Sequence, residues 1–302
     1  MPELPDVTVY VERLRARVVG QPLDRVRLGS PFVLRSVTPP LSSVETQTVR
    51  AVSRLGKRIV ITLDGHLSLV IHLMIAGRLR WRDTGAPLPK RRGLVAFDFR
   101  NGTVLFTEEG TKKRASLHVV ETAAELATHD RGGLELLDAT VEQFHEALTR
   151  ENHTAKRALT DPRLFSGIGN AYSDEILHAS RLSPMKLTQK LSEDEIVRLY
   201  EATVRTLELW TDRLRASVGD GFPEKVTAFR EGMAVHGRYG HPCPACSAPV
   251  QRIVYASNEA NYCPRCQTGG RLLADRSLSR LLKRDWPRSL DELEQMTASR
   301  RP

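Results

Sequence analysis

No apolar run in the 302 residues approaches the roughly 20 needed to cross a bilayer. The N-terminus, Met1-Pro2-Glu3-Leu4-Pro5-Asp6, has neither the basic n-region nor the apolar h-region of a signal peptide. A soluble cytoplasmic, nucleoid-associated protein is therefore expected, with no membrane partner. Internal repeats and low-complexity tracts are absent. With 40% hydrophobic and 27% charged residues, wholesale disorder is excluded. The length suits two domains, or two and a small appendage. Cysteine is absent until Cys243.

Lys and Arg number 45 against 36 Asp and Glu, a net charge of +9. That balance fits a polyanionic partner, because cations that neutralise phosphates release condensed counterions. A merely solvated basic surface would give the same arithmetic.

The four cysteines fall as Cys243-Pro-Ala-Cys246 and Cys263-Pro-Arg-Cys266. Each pair reads as a turn aiming two thiolates at one point, and a hairpin between the pairs completes a tetrahedral cage. Arg252-Ile-Val-Tyr255 and Asn261-Tyr262 suit the short strands of that hairpin. Disulfides are disfavoured without an export signal, and redox chemistry would call for a lone CxxC. One structural zinc ion per chain is expected on Cys243, Cys246, Cys263 and Cys266. All its positions are filled by protein, so none is left for a reacting water. Gly237-Arg-Tyr-Gly240, just before the first pair, adds charge and an aromatic of the kind a nucleic-acid-binding ribbon carries.

Val7, Val11, Leu14 and Val18 predict a helix over 5–19, closed by Gly20. A β-rich stretch to about residue 120 follows, with Asp64-Gly65 and Asn101-Gly102 predicting tight hairpin turns at positive φ. A sandwich or barrel closes that many antiparallel strands. The segment from Thr84 to Gly93 reads as a mobile basic loop. Helical character begins near 131, with capping boxes at Thr140-Val-Glu-Gln143 and Ser192-Glu-Asp-Glu195 and a helix from Glu193 to about Val218. Helices also fit 153–160 and 171–181. The tail carries Leu278, Leu281, Leu282 and Trp286 and a further capping box at Ser289-Leu-Asp-Glu292, and is expected to pack on the finger.

Removal of Met1 would expose the secondary amine of Pro2. An α-amino group titrates near pH 8, so an appreciable fraction is neutral and nucleophilic at pH 7, and a secondary amine forms a permanently charged iminium. Glu3 is placed to protonate a ring-opening oxygen. Equally, Met-Pro-Glu is a convenient helix entry. Farther on, Gly167 and Gly169 bracket a turn between helices, and the backbone N–H groups and amide at Asn170 can hold a phosphate. Such a glycine turn is common in helical hairpins.

Together, Pro2-Glu-Leu-Pro-Asp6, Leu55-Gly-Lys57-Arg, His72-Leu-Met-Ile-Ala-Gly77, Gly167-Ile-Gly-Asn170 with Glu175, and the cysteine ribbon resemble the formamidopyrimidine-DNA glycosylase / endonuclease VIII family of base-excision repair enzymes. These motifs occur in family order over about residues 2–266. The resemblance implies a multidomain α+β fold. An N-terminal helix and antiparallel β-sandwich (1–130) would precede a helix–two-turn–helix domain (131–231), a zinc-ribbon finger (232–270) and a helical tail (271–302), with DNA between the first two. It implies a bifunctional glycosylase and AP lyase acting as a monomer on damaged double-stranded DNA. The damaged nucleotide is flipped out, Pro2 attacks C1′, Glu3 is the acid/base, and Lys57 assists at a phosphate. Lys156 and Asn170 match phosphate-binding positions, and His72, Met74 and Ile75 match the wedge segment that enters DNA.

Three departures stand out. Ile75 takes the slot of the usual wedge Met, and Met74 replaces a Gly; Ile still serves as a wedge. Lys112, Lys113 and Arg114 keep the charge of an Arg-Arg-Phe probe but lack its aromatic. Asn258, beside Glu259, stands where the finger usually has a phosphate-binding Arg. A neutral amide lacks the bidentate charged contact, so δ-elimination is expected to be weak or absent and β-elimination retained. Two alternatives keep the fold: excision of bulky or crosslinked adducts, or a damaged-DNA-binding module without catalysis.

Overall fold

The computed structural model describes residues 1–255, 258–274, 279, 281 and 286–298. The chain divides into two compact units, 1–133 with 208–228, and 134–207 with 229–302. The segment 208–228, which sequence places with the helical section, thus belongs with the N-terminal unit.

In the first unit, α1 (Leu4–Val18) starts with a capping box between Glu3 and Asp6. Its Val7, Val11, Leu14 and Val18, at the predicted spacing, are all buried. Eight strands follow: β1 (Arg25–Leu28), β2 (Val49–Leu55), β3 (Arg58–Leu63), β4 (Ser68–His72), β5 (Gly77–Arg82), β6 (Gly93–Phe99), β7 (Gly102–Glu108) and β8 (Ser116–Val120). They form two antiparallel four-stranded sheets, ordered β1-β6-β7-β5 and β2-β3-β4-β8. Alternation sends Ile59, Ile61, Leu69, Ile71 and Leu117 of one sheet into a common core with Leu79, Phe97, Val104 and Phe106 of the other and with α1. On the opposite face of the second sheet, Val60, Val70 and Val120 pack beneath Leu126 of the short α2 (Ala123–Ala127).

The hairpin turns differ from expectation by one residue. Positive φ falls on Gly65 (67°) and His66 (65°), not on Asp64. Asp64 instead pairs with Arg50 through its side chain. Asn101 also avoids positive φ, and its amide reaches the Arg17 carbonyl at 2.8 Å. The segment read as a mobile basic loop is pinned at its centre, where Leu88 packs so closely on Gly29 and Gly93 that a Cβ on either would clash.

In the second unit, α3 (Val141–Thr149), α4 (Ala155–Thr160), α5 (Asn170–Ala179) and the first half of α6 (Glu193–Val218) form the helical part. The two predicted capping boxes are present at Thr140–Gln143 and Ser192–Glu195. A hairpin of β9 (Gln251–Val254) and β10 (Glu259–Tyr262) leads to α7 (Pro264–Thr268). The tail helix α8 (Leu290–Ala298) opens with the Ser289–Glu292 box. It packs on the finger through Leu290, which joins Val235, Val250, Cys243 and Cys263. Leu278 and Leu282 lie outside the described residues. Among those described, no helix is long and apolar enough to cross a membrane.

Candidate functional site

The N-terminus is drawn into the first unit by the start of α1. Pro2 is buried and Glu3 is 2% exposed. The Glu3 N–H donates to the Asp6 carboxylate at 2.9 Å, which fixes both residues at the helix start. Burial lowers the pKa of the Met1 amine; Glu3 and Asp6 oppose this, while Arg78 and Lys57 reinforce it. The structure therefore places the Met1 amine, one residue before Pro2, in one electrostatic neighbourhood with Glu3, Lys57 and Arg78. Lys57 gets there from the β2–β3 turn, where Gly56 takes φ 59°.

His72 ends β4 opposite Arg58. Burial, with Arg58, Lys57 and His118 nearby, pushes its pKa down to about 4, so its imidazole is neutral at pH 7. The following turn carries Met74 and Ile75. Gly77 N–H bonds back to Leu73 O at 2.8 Å, and Arg78 donates to the carbonyls of Ile75 (3.2 Å) and Gly77 (2.7 Å). Met74 has φ 51°, a left-handed conformation that a glycine would adopt without a Cβ penalty. Ile75 is 55% exposed at the tip.

Lys112, Lys113 and Arg114 sit exposed on the β7–β8 loop. That loop is closed by the buried Glu108, whose carboxylate accepts from Arg114 N at 2.9 Å and Ala115 N at 3.2 Å. Lys113 folds back to donate to the Glu108 carbonyl, leaving Lys112 and Arg114 as the outward cations. Glu109 N–H donates to Ala76 O at 3.1 Å, so this loop lies against the turn that carries Met74 and Ile75.

In the second unit, Gly167 takes φ 84° in the turn and α5 begins at Asn170. Lys156 does not point outward as a phosphate ligand would. It is 8% exposed and donates to Asp174 at 2.6 Å and to Asn170 O at 2.7 Å. The other oxygen of Asp174 meets His236 Nδ1 at 2.8 Å and the Asn261 amide at 3.3 Å. The Asn170 amide nitrogen donates to Glu259 O at 2.9 Å, and its Oδ1 is buried without a protein partner. Glu175 accepts N–H bonds from Ala234 (2.7 Å), Val235 (2.9 Å) and His236 (2.9 Å). Sequence reading singled out Glu175 but missed Asp174, His236 and Asn261. A pair of adjacent acids, the only formally charged residues of this helix at neutral pH, was the available signal.

Cys243, Cys246, Cys263 and Cys266 are unbridged, with all four sulfurs within 4.8 Å of one another. The gaps Cys243–Cys266 (3.9 Å) and Cys246–Cys263 (3.4 Å) suit thiolates around a tetrahedral ion with bonds of about 2.3 Å, so the cage fits one structural zinc. His178 Nε2 lies 3.2 Å from Cys243 Sγ, a contact that orients this sulfur from α5. Asn258 is exposed where the β9–β10 hairpin turns, its carbonyl accepting from Tyr255 N at 2.8 Å.

Three family descriptions match successive stretches of the chain: the formamidopyrimidine-DNA glycosylase N-terminal domain over 1–113, its H2TH domain over 135–214, and the zinc finger found in FPG and IleRS over 240–269. Formamidopyrimidine-DNA glycosylase of Thermus thermophilus is 34% identical over 281 residues, covering 89% of this chain and 100% of that protein. A formamidopyrimidine-DNA glycosylase-like protein of Mycobacterium tuberculosis is 42% identical over 151 residues, 50% of this chain and 94% of its own length. Among solved structures, a Lactococcus lactis FPG mutant in complex with Fapy-dG containing DNA matches with a TM-score of 0.76 at 25% identity, over 88% of this chain and 100% of that one.

Proposed function

The chain belongs to the formamidopyrimidine-DNA glycosylase family and is a DNA glycosylase; from there we propose that it is also an AP lyase that works through the Pro2 amine. The observation carrying this reading is that Pro2 is buried at the head of α1 beside the 2%-exposed Glu3, in a neighbourhood where burial, Arg78 and Lys57 lower the pKa of the Met1 amine that precedes it. With Met1 removed, the neutral nitrogen of Pro2 forms a bond to C1′ of a flipped nucleotide as the bond from C1′ to the base breaks. The proton that the attacking nitrogen sheds goes to the departing base, and Glu3 gives a proton to the ring oxygen as the sugar opens, leaving a cationic iminium. Loss of the C2′ proton then expels the 3′-phosphate, which is β-elimination. Lys57 and Arg78 supply positive charge beside the amine, and Lys57 takes the phosphate.

The neutral His72 serves as a hydrogen-bonding group on the same strand end, and Ile75 fills the space left by the flipped base. Lys112 and Arg114 supply the outward charge next to that turn, and Asn170 contacts the backbone from the second unit. Relatives named as glycosylases do not favour the non-catalytic and bulky-adduct alternatives.

Borohydride trapping on an abasic duplex tests this, after the mature N-terminus is confirmed by mass spectrometry. The native chain gives a covalent protein–DNA adduct and Pro2→Gly gives far less. Tight binding with no adduct overturns the lyase mechanism.

A further inference from the structure

Two positions of the second unit that the family resemblance matches to phosphate contacts offer no outward cation. Lys156 is buried under the turn with Asp174 and a carbonyl on its ammonium, and position 258 carries a neutral Asn. Two ribbon arginines bind their own backbone: Arg238 donates to Pro242 O at 3.1 Å and Arg265 to Cys246 O at 3.3 Å. Arg252 differs. It projects from β9 opposite Asn261, its guanidinium carbon 4.4 Å from the centre of the Tyr239 ring. One of its five N–H donors bonds Glu259 at 3.1 Å. Its side chain remains 43% exposed.

Glu259 makes the link to the helical turn, because its carbonyl accepts the Asn170 amide at 2.9 Å. Arg252 is thus one residue removed from Asn170, on the same face of the hairpin as Glu259. An aromatic face beneath a guanidinium leaves its N–H edge open, and a side chain already held in place loses little entropy on binding.

We infer that Arg252, braced between Tyr239 and Glu259, is the cation through which the zinc ribbon grips a DNA phosphate next to Asn170, taking over the charge that position 258 lacks. Glu259 holds the guanidinium in place through one N–H, and the guanidinium's other N–H donors are the ones that meet the phosphate. The inference rests on the DNA binding of the proposed function, not on its Pro2 chemistry.

Fluorescence anisotropy with a duplex carrying an uncleavable tetrahydrofuran abasic analogue, titrated across a range of KCl, tests it on the zinc-loaded full chain. Arg252→Gln is expected to weaken binding about tenfold at moderate salt and to reduce the log–log salt slope by about 1. Arg252→Lys keeps the slope. Adding Asn258→Arg to Arg252→Gln restores it, which a merely structural role for Arg252 would not produce. Binding within twofold of the native chain and an unchanged slope in Arg252→Gln overturn the inference. Borohydride trapping of the native chain separates the two readings. An adduct with Arg252-independent binding removes only this inference, and Arg252-dependent binding without an adduct removes only the lyase.

Discussion

Replacing Glu175 by Gln tests how the second unit is held together. Glu175 is 6% exposed and takes three backbone N–H bonds, two on Oε1 (Val235 and His236) and one on Oε2 (Ala234). Gln keeps the shape but replaces one acceptor with an NH2 group. The cheaper orientation puts that group toward Ala234, so one N–H is left facing another donor and the remaining two bonds lose their charge. A bond to a charged group contributes roughly 1.5–3 kcal/mol, and an unsatisfied buried N–H costs a further 1–3 kcal/mol. Relaxation of the 234–236 segment offsets part of this, so the expected loss is about 3 kcal/mol. Urea unfolding of the zinc-loaded chain reads the total, and hydrogen exchange at Ala234, Val235 and His236 locates it. A loss below about 1 kcal/mol with unchanged protection at those amides would refute the reasoning, because a carboxylate carrying three bonds has no cheap substitute.

Gly77→Ala places a Cβ 2.3 Å from Leu73 O, the acceptor of its own N–H bond. The expected outcome is a loss of about 2–4 kcal/mol in thermal unfolding and a collapse of base flipping, read with 2-aminopurine opposite the lesion; native values for both would show the turn to be adaptable. His72 and His118 are both held near 4, chiefly by burial, against about 6.5 unfolded. Between pH 6.5 and 4 the unfolded chain therefore binds more protons, so their contribution to stability is complete above 6.5 and falls as pH drops through that window. The expected loss from pH 6.5 to 5 is about 1–2 kcal/mol for His72 and less for the more exposed His118. Melts at pH 7.5 and 5 should diverge in the native chain and converge in a His72→Asn/His118→Asn double variant, and a native melt flat across this range would contradict the burial argument.

Local signals carried far in this chain where the structure is decided locally. The i, i+4 spacing of Val7, Val11, Leu14 and Val18 marked α1, the Ser and Thr caps marked α3 and α6, and the paired CxxC turns marked the metal cage. What the sequence leaves open shares a cause. Lys156 matches a phosphate-binding position in sequence, and its buried partner Asp174, on the next helix, is invisible there. The 208–228 segment joins the first unit through contacts such as Arg215 with Glu12 and Glu224 with Arg80 and Arg82, none of which a window along the chain contains. Tyr239 reads in sequence as an aromatic near the ribbon, but its pairing with Arg252 depends on tertiary geometry. Long-range pairing of charged groups is set by tertiary geometry, and propensity and periodicity carry no information about it.

The turn at Met74 and Ile75 shows why a residue that departs from the family pattern need not weaken the chemistry proposed for this chain. Met in the left-handed region costs roughly 1–2 kcal/mol relative to Gly. Met74 is nonetheless kept there by bonds on both sides of it, from Gly77 N–H to Leu73 O and from Arg78 to the carbonyls of Ile75 and Gly77. The cost is therefore met within the folded protein and does not recur when DNA binds. Ile75, apolar and 55% exposed, is presented in a fixed turn, so its insertion between bases, as the proposed function requires, removes apolar surface from water without an ordering penalty for the loop. A β-branched side chain also has few rotamers to lose. A Met at this position would fill more space but give up more side-chain freedom, so the exchange to Ile trades reach for rigidity on a turn already rigid.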